Sequence, residues 1–154
     1  MRITDFVHPK AVTASLKSQD KEGIIRELVD LLIHAGVIKE RDKLVKILLG
    51  REALGSTGIG QGIGIPHGKC DAVKQLTAAF GLAPQGVNFD SLDGEPAHIF
   101  FLLVAPEDEA GPHLKALAHI SRLLKDKYLR DQLKAAKDEK AILKILSQED
   151  NRKS

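Results

Sequence analysis

Two apolar runs of strand length, residues 76–83 (LTAAFGLA) and 97–105 (AHIFFLLVA), constrain the fold of this chain more than any other feature. Each is closed by a proline, at 84 or 106. A strand that is apolar at successive positions buries both of its faces, so it needs a covering layer on each side. The flanking periodicities supply those layers. From Asp20, an N-cap residue, apolar side chains recur at Ile24, Ile25, Leu28, Leu31 and Leu32, with Gly36 where a C-terminal cap belongs. A second helical pattern runs through Leu44, Val45, Leu48 and Leu49 to about Arg51-Glu52. A third joins His113, Leu114, Leu117, Ile120, Leu123 and Leu124, with Pro112 just ahead and His113 in the first turn. Residues 128–146 give two short helical patterns broken near Lys137-Asp138. This order predicts an α/β fold, a mixed β-sheet with helices on both faces.

The remaining segments carry weaker patterns. Residues 3–16 read as a short strand or extended lead-in with a turn at His8-Pro9. The polar stretch 84–96, rich in turn formers, is expected as an excursion over the surface, residues 107–111 as an acidic loop, and the tail SQEDNRKS as frayed. No repeat or linker divides the chain, and 154 residues with 43% hydrophobic content suit a single domain over residues 1–154.

Charge narrows the partners. A net charge of +2 lacks the basic excess that bulk nucleic-acid or membrane-surface binding calls for. The N-terminus MRITDFVHPK has no apolar signal region, and the run 99–105 is too short to span a bilayer, so a cytoplasmic protein without membrane insertion is expected. Cys70 is alone, which rules out an intrachain disulfide and the two-cysteine zinc patterns.

The chemistry concentrates in residues 54–69, LGSTGIGQGIGIPHGK, where six of the thirteen glycines fall. Such a run brings main-chain amides close to a ligand and here ends on an imidazole behind a proline. Nucleotide binding fails on spacing. The first glycine of a P-loop would fall at Ile63, and Cys70 stands where Ser or Thr is needed after Lys69. The dinucleotide fingerprint fails likewise, its third glycine falling on Ile63 or Ile65. Metal binding fails on rotation: His113 and His119 are separated by about 600° of helical turn and leave from different faces. His8, His34 and His98 have no ligand-spaced partners and read, with His119, as structural.

His67, His113 and Arg51 remain. Taken singly, each has an ordinary alternative: a turn whose imidazole caps backbone groups, a histidine that ends a loop, a solvated helix-end charge. Together, a nucleophilic imidazole, a second imidazole and a guanidinium are what transfer of a phosphoryl group to nitrogen requires.

The run RE-x-LGSTGIG-x-GIGIPHGK, with FFLLVAPED and HLKALAHISRLL, resembles the IIA domains of fructose/mannitol type (EIIA type 2) of the bacterial phosphoenolpyruvate-dependent phosphotransferase system. Its nearest branch is the nitrogen-regulatory one. The resemblance spans about residues 4–146 and implies a mixed sheet between helical layers. It implies that His67 is the phosphoacceptor, taking the group on Nε2 from the phosphohistidine of a small HPr-like carrier. By position, His113 is the second active-site histidine and Arg51 the arginine, both stabilising the phosphoryl group, with no cofactor and no metal. Gly64 stands where many relatives carry alanine. The glycines of 58–68 are expected to cradle the phosphoryl group, and Ile59, Ile63 and Phe100 to rim the site. Downstream, the resemblance implies regulatory target proteins. That branch is favoured because the chain carries no fused IIB, HPr-like or membrane segment. A sugar-specific IIA component that donates to a fructose/mannitol-type IIB domain is the alternative, and a binding module that is never phosphorylated is the third reading.

Overall fold

The computed structural model describes residues 1–153. A 3-10 turn over Ile3–Asp5 leads into β1 (Val7–Thr13), followed by helices α1 (Lys21–His34) and α2 (Arg41–Ala53). Three short strands come next, β2 (Gly58–Gly60), β3 (Ile63–Gly64) and β4 (His67–Lys69), then the long β5 (Thr77–Val87) and β6 (Ala97–Ala105). Helices α3 (Ala110–Leu123), α4 (Lys127–Lys134) and α5 (Glu139–Lys153) complete the chain. Asp20 caps α1 as its sequence suggests, its carboxylate accepting from the Gly23 amide at 2.8 Å.

The sheet is mixed and ordered β1-β5-β6-β3-β2, with β4 also on β6. β5 and β6 run antiparallel at its centre, whereas β1 lies parallel to β5, and β3 and β4 lie parallel to β6. The two apolar runs are therefore the central strands, and each of their faces has its own core. On one side Phe100, Leu102 and Val104 pack with Ile25, Leu28, Leu44 and Leu48 of α1 and α2. On the other, Ile99, Phe101 and Leu103 pack with Ile120, Leu123, Leu133, Ile142 and Leu146 of the C-terminal helices. Successive positions of β6 feed alternate cores, which is the physical reason the run lacks polar alternation. Among the described residues no helix is long and apolar enough to cross a membrane.

Four local expectations change. His8-Pro9 makes no turn but lies inside β1, an edge strand whose register with β5 shifts between Val7 and Val12, and an edge or a bulge is where a strand tolerates proline. Pro84 likewise does not end β5, which continues to Val87 across a register shift between Leu82 and Val87. The stretch 84–96 is only partly at the surface, because Val87 and Phe89 are buried and Phe89 meets the ring of Phe100 edge-on at 5.1 Å. The tail is not frayed over 147–153: α5 runs to Lys153, and the buried carboxylate of Asp150 accepts hydrogen bonds from Ile3 N at 2.8 Å, Thr4 N at 3.0 Å and Thr4 Oγ1 at 2.7 Å. Ser154 lies outside the described residues.

Candidate functional site

β3 and β4 follow β6 in turn, Ile63 and Gly64 opposite Ile99 and Phe100, then His67, Gly68 and Lys69 opposite Leu103, Val104 and Ala105. Between them Pro66 has no amide to give, but its carbonyl accepts from Leu103 N at 3.0 Å, so the strand resumes after the interruption. His67 is thereby delivered to the end of β6, from which α3 departs. Helix α2 packs against β4. A β-carbon on Gly68 would stand 3.0 Å from Ile47 Cγ2 and 3.5 Å from Leu48 Cδ2, so the absence of a side chain there lets the helix approach. Arg51, one turn beyond Ile47 on the same helical face, reaches the site by that approach.

The result is an open cavity of about 450 Å³ lined by Ile47, Arg51, His67, Gly68, Lys69, Glu107 and His113. The three residues singled out in the sequence thus come together around one space. The rings of His67 and His113 are 5.5 Å apart between centroids and inclined at 60°. Pro112 sits within the first turn of α3 rather than ahead of it, a position that loses no intrahelical bond, with His113 next.

The surroundings of the two imidazoles differ. His67 Nδ1 lies 2.7 Å from the carbonyl oxygen of Ile65. A carbonyl can only accept, so Nδ1 carries the proton and Nε2 keeps its lone pair. Burial lowers the pKa of His67 below its ordinary 6.5 and the Arg51 charge lowers it further, against the Ile65 carbonyl and Glu52, which raise it. His113 is pushed down to about 4, by burial first and then by His67 and Lys69. Both rings are therefore neutral near pH 7. His113 is 7% exposed, and its Nε2 is buried without a hydrogen-bond partner among the described residues. Arg51 is anchored at one point, Nη1 donating to the carbonyl of Gly55 at 2.9 Å.

Several expectations about the surroundings fail. Ile59 is exposed on β2, while Ile63 and Phe100 are buried in opposite cores, so none of the three rims the cavity. The glycines from 58 to 64 do not cradle it either. They form the β2–β3 hairpin, where a β-carbon on Gly64 would stand 2.8 Å from the Phe100 ring, and of the whole run only Gly68 reaches the wall. Ile47, Lys69 and Glu107 were not singled out in the sequence. The four-residue step from Ile47 to Arg51 was the available signal for the first. Among the described residues no group of three or more His, Cys, Asp or Glu side chains is placed to hold a metal ion.

The same sheet between helical layers occurs in phosphotransferase IIA proteins. The crystal structure of the nitrogen regulatory protein IIA-Ntr from Neisseria meningitidis superposes with a TM-score of 0.86 at 31% identity, over 94% of this chain and 98% of that one. The mannitol IIA of Escherichia coli shares the fold, with a TM-score of 0.76 at 24% identity over 90% of this chain and 97% of that one. The family described as "Phosphoenolpyruvate-dependent sugar phosphotransferase system, EIIA 2" matches residues 5–149, and the chain belongs to it. It is 39% identical over 147 residues to a nitrogen regulatory protein of Bradyrhizobium diazoefficiens, covering 96% of this chain and 95% of that protein. It is 40% identical over 150 residues to the fructose-specific EIIABC component of Bacillus subtilis, covering 97% of this chain but 24% of that protein, so it spans about a quarter of that relative.

Proposed function

We propose that this IIA protein carries a phosphoryl group on Nε2 of His67, received from the phosphohistidine of an HPr-like carrier. The observation that carries the reading is the hydrogen bond from His67 Nδ1 to the Ile65 carbonyl at 2.7 Å, which leaves Nε2 unprotonated on the wall of an open cavity beside Arg51. In the transfer, the Nε2 lone pair forms the new N–P bond while the donor's N–P bond breaks and its electron pair returns to the donor imidazole. The His67 ring gains positive character as the bond forms. The Ile65 carbonyl, which already favours the charged ring, stabilises that change. Arg51 pairs with the phosphoryl oxygens, and His113, neutral and with Nε2 unpaired, donates its N–H to another. The protein so acts as a covalent carrier in a cytoplasmic relay fed by phosphoenolpyruvate. Both cores are built on the same central strands, which supports treating residues 1–154 as one domain.

Downstream we favour regulatory target proteins, as in the nitrogen-regulatory branch. The TM-score of 0.86 with the Neisseria IIA-Ntr, against 0.76 with the mannitol IIA, supports this. Donation to a fructose/mannitol-type IIB domain is the second reading, favoured by the 40% identity to the Bacillus fructose component.

Incubation with phosphoenolpyruvate, the first enzyme of the relay and an HPr-like donor tests the carrier role. Wild type is expected to gain one acid-labile phosphate per chain and His67→Ala none. No gain by wild type would show a binding module instead, and equal gain by the variant would place the phosphate on a residue other than His67. Competition between a permease IIB domain and captured regulatory targets for the phosphorylated and unphosphorylated forms separates the two downstream readings.

A further inference from the structure

Beside the cavity lies a second group of bonded polar residues, built around two that are buried, Glu52 and Thr57. The carboxylate of Glu52, with its side chain 4% exposed, accepts from Thr57 Oγ1, from Thr57 N at 3.2 Å and from Lys21 Nζ at 2.9 Å. Thr57 is itself 4% exposed. Lys21 also pairs with Asp90 at 3.3 Å and lies 4.9 Å from the centre of the Phe89 ring. None of these groups lines the cavity, yet two chains of contacts lead from Thr57 and Glu52 into it.

The first chain ends on His67. The Thr57 carbonyl accepts from Ile65 N at 3.0 Å, and the Ile65 carbonyl is the acceptor for His67 Nδ1 at 2.7 Å. Thr57 therefore holds, from one side, the residue that orients the imidazole and selects its tautomer. The second chain ends on Arg51. Glu52 and Thr57 close the turn between α2 and β2, within which Gly55 N donates to the Glu52 carbonyl at 3.1 Å. The Gly55 carbonyl in turn anchors the Arg51 guanidinium at 2.9 Å. Nucleophile and guanidinium are thus fastened to one bracket.

We propose that Thr57, clamped by the Glu52 carboxylate, is a positioning residue that fixes the Nδ1–H tautomer of His67 and the placement of Arg51 through the Ile65 and Gly55 carbonyls. This rests on the reading of His67 as phosphoacceptor for its consequence, but the tautomer can be read without any phosphoryl donor. A buried carboxylate bonded on several sides is stiff, because loss of any donor leaves it undersatisfied in a medium that does not replace the bond. Stiffness matters here because in-line attack depends on geometry, and a displacement of about 1 Å costs on the order of a hundredfold in rate.

The test compares Thr57→Val, which removes the hydroxyl at nearly constant volume, with Thr57→Ser, which keeps it. Thr57→Ala, removing the same group with less bulk, serves if Thr57→Val does not fold. Ring nitrogen-15 shifts of His67 in the unphosphorylated protein report the tautomer. Wild type and Thr57→Ser are expected to show Nδ1–H alone, and Thr57→Val a mixture of Nδ1–H and Nε2–H. With the HPr-like donor, Thr57→Val should accept phosphate about tenfold more slowly at unchanged KM, with the rate restored in Thr57→Ser. A folded Thr57→Val with the wild-type tautomer, or with the wild-type rate, overturns the proposal. If wild type accepts no phosphate, the carrier reading falls, and the tautomer comparison alone decides this one.

Discussion

Asp150 and His113 are both 7% exposed, yet their polar atoms are treated in opposite ways. The Asp150 carboxylate receives two backbone amides and a hydroxyl from the start of the chain, and these three bonds tie α5 to the N-terminal turn. His113 keeps Nε2 buried and unpaired among the described residues, 5.5 Å between ring centres from His67. A buried polar group left without a partner costs about 1–3 kcal/mol, and a fold keeps such a cost where something other than stability is gained. On the proposed function, the unpaired nitrogen of His113 is kept for the phosphoryl group, whereas the bonded carboxylate of Asp150 serves the fold.

The largest expected effect breaks the comparison at its functional end. His113→Ala should slow phosphoryl acceptance about a hundredfold, the scale for removing one donor from developing negative charge. Its unfolding free energy should change by about 1 kcal/mol or less, since the lost ring had an unpaired nitrogen. Transfer kinetics beside chemical denaturation check both halves, and a large stability loss with an unchanged rate would make His113 a structural residue like Asp150. The reciprocal variant, Asp150→Ala, should lose about 2–4 kcal/mol because three donors lose their acceptor, while the transfer rate of the folded protein stays unchanged.

Smaller effects sharpen the contrast. Arg51→Lys keeps the charge but loses the planar fork, and should reduce acceptance about tenfold in the same kinetic assay. The pH dependence of stability carries a sign to which His113 and His67 both contribute, and substitution separates the His113 part. The His113 folded pKa of about 4 lies below the unfolded value of about 6.5, so between these limits the unfolded chain binds more protons. Stability should therefore fall as pH drops from about 6.5 towards 4, and His113→Phe should flatten that slope in denaturation measured across the window. A slope unchanged by the substitution would locate the titration elsewhere.

The central strands and the helices over them were legible because burial on both faces leaves an unbroken apolar run and helices leave a three- and four-residue period. His67, Arg51 and His113 were legible as a candidate set because few side-chain types suit the chemistry proposed for them, and the three line one cavity. What the sequence concealed depends on contacts between distant segments. Phe89 is one apolar residue amid turn formers, and its burial is decided by the Phe100 ring it meets. Asp150 sits in a polar tail whose order comes from amides at the opposite end of the chain. The glycine run looked like a ligand cradle because composition does not distinguish close approach to a ligand from close approach to Phe100. The bond from His67 to Ile65 spans two residues, yet its presence follows from the path of β4 beside β6, which no local pattern announces.

The most direct measurement is phosphorus-31 and nitrogen-15 NMR of the phosphorylated protein labelled at histidine. Phosphorus–nitrogen coupling should appear at Nε2 of His67, with Nδ1 still protonated and bonded and the His113 ring resonances displaced by their new acceptor. Coupling at Nδ1, or at the nitrogen of any other histidine, would contradict the account.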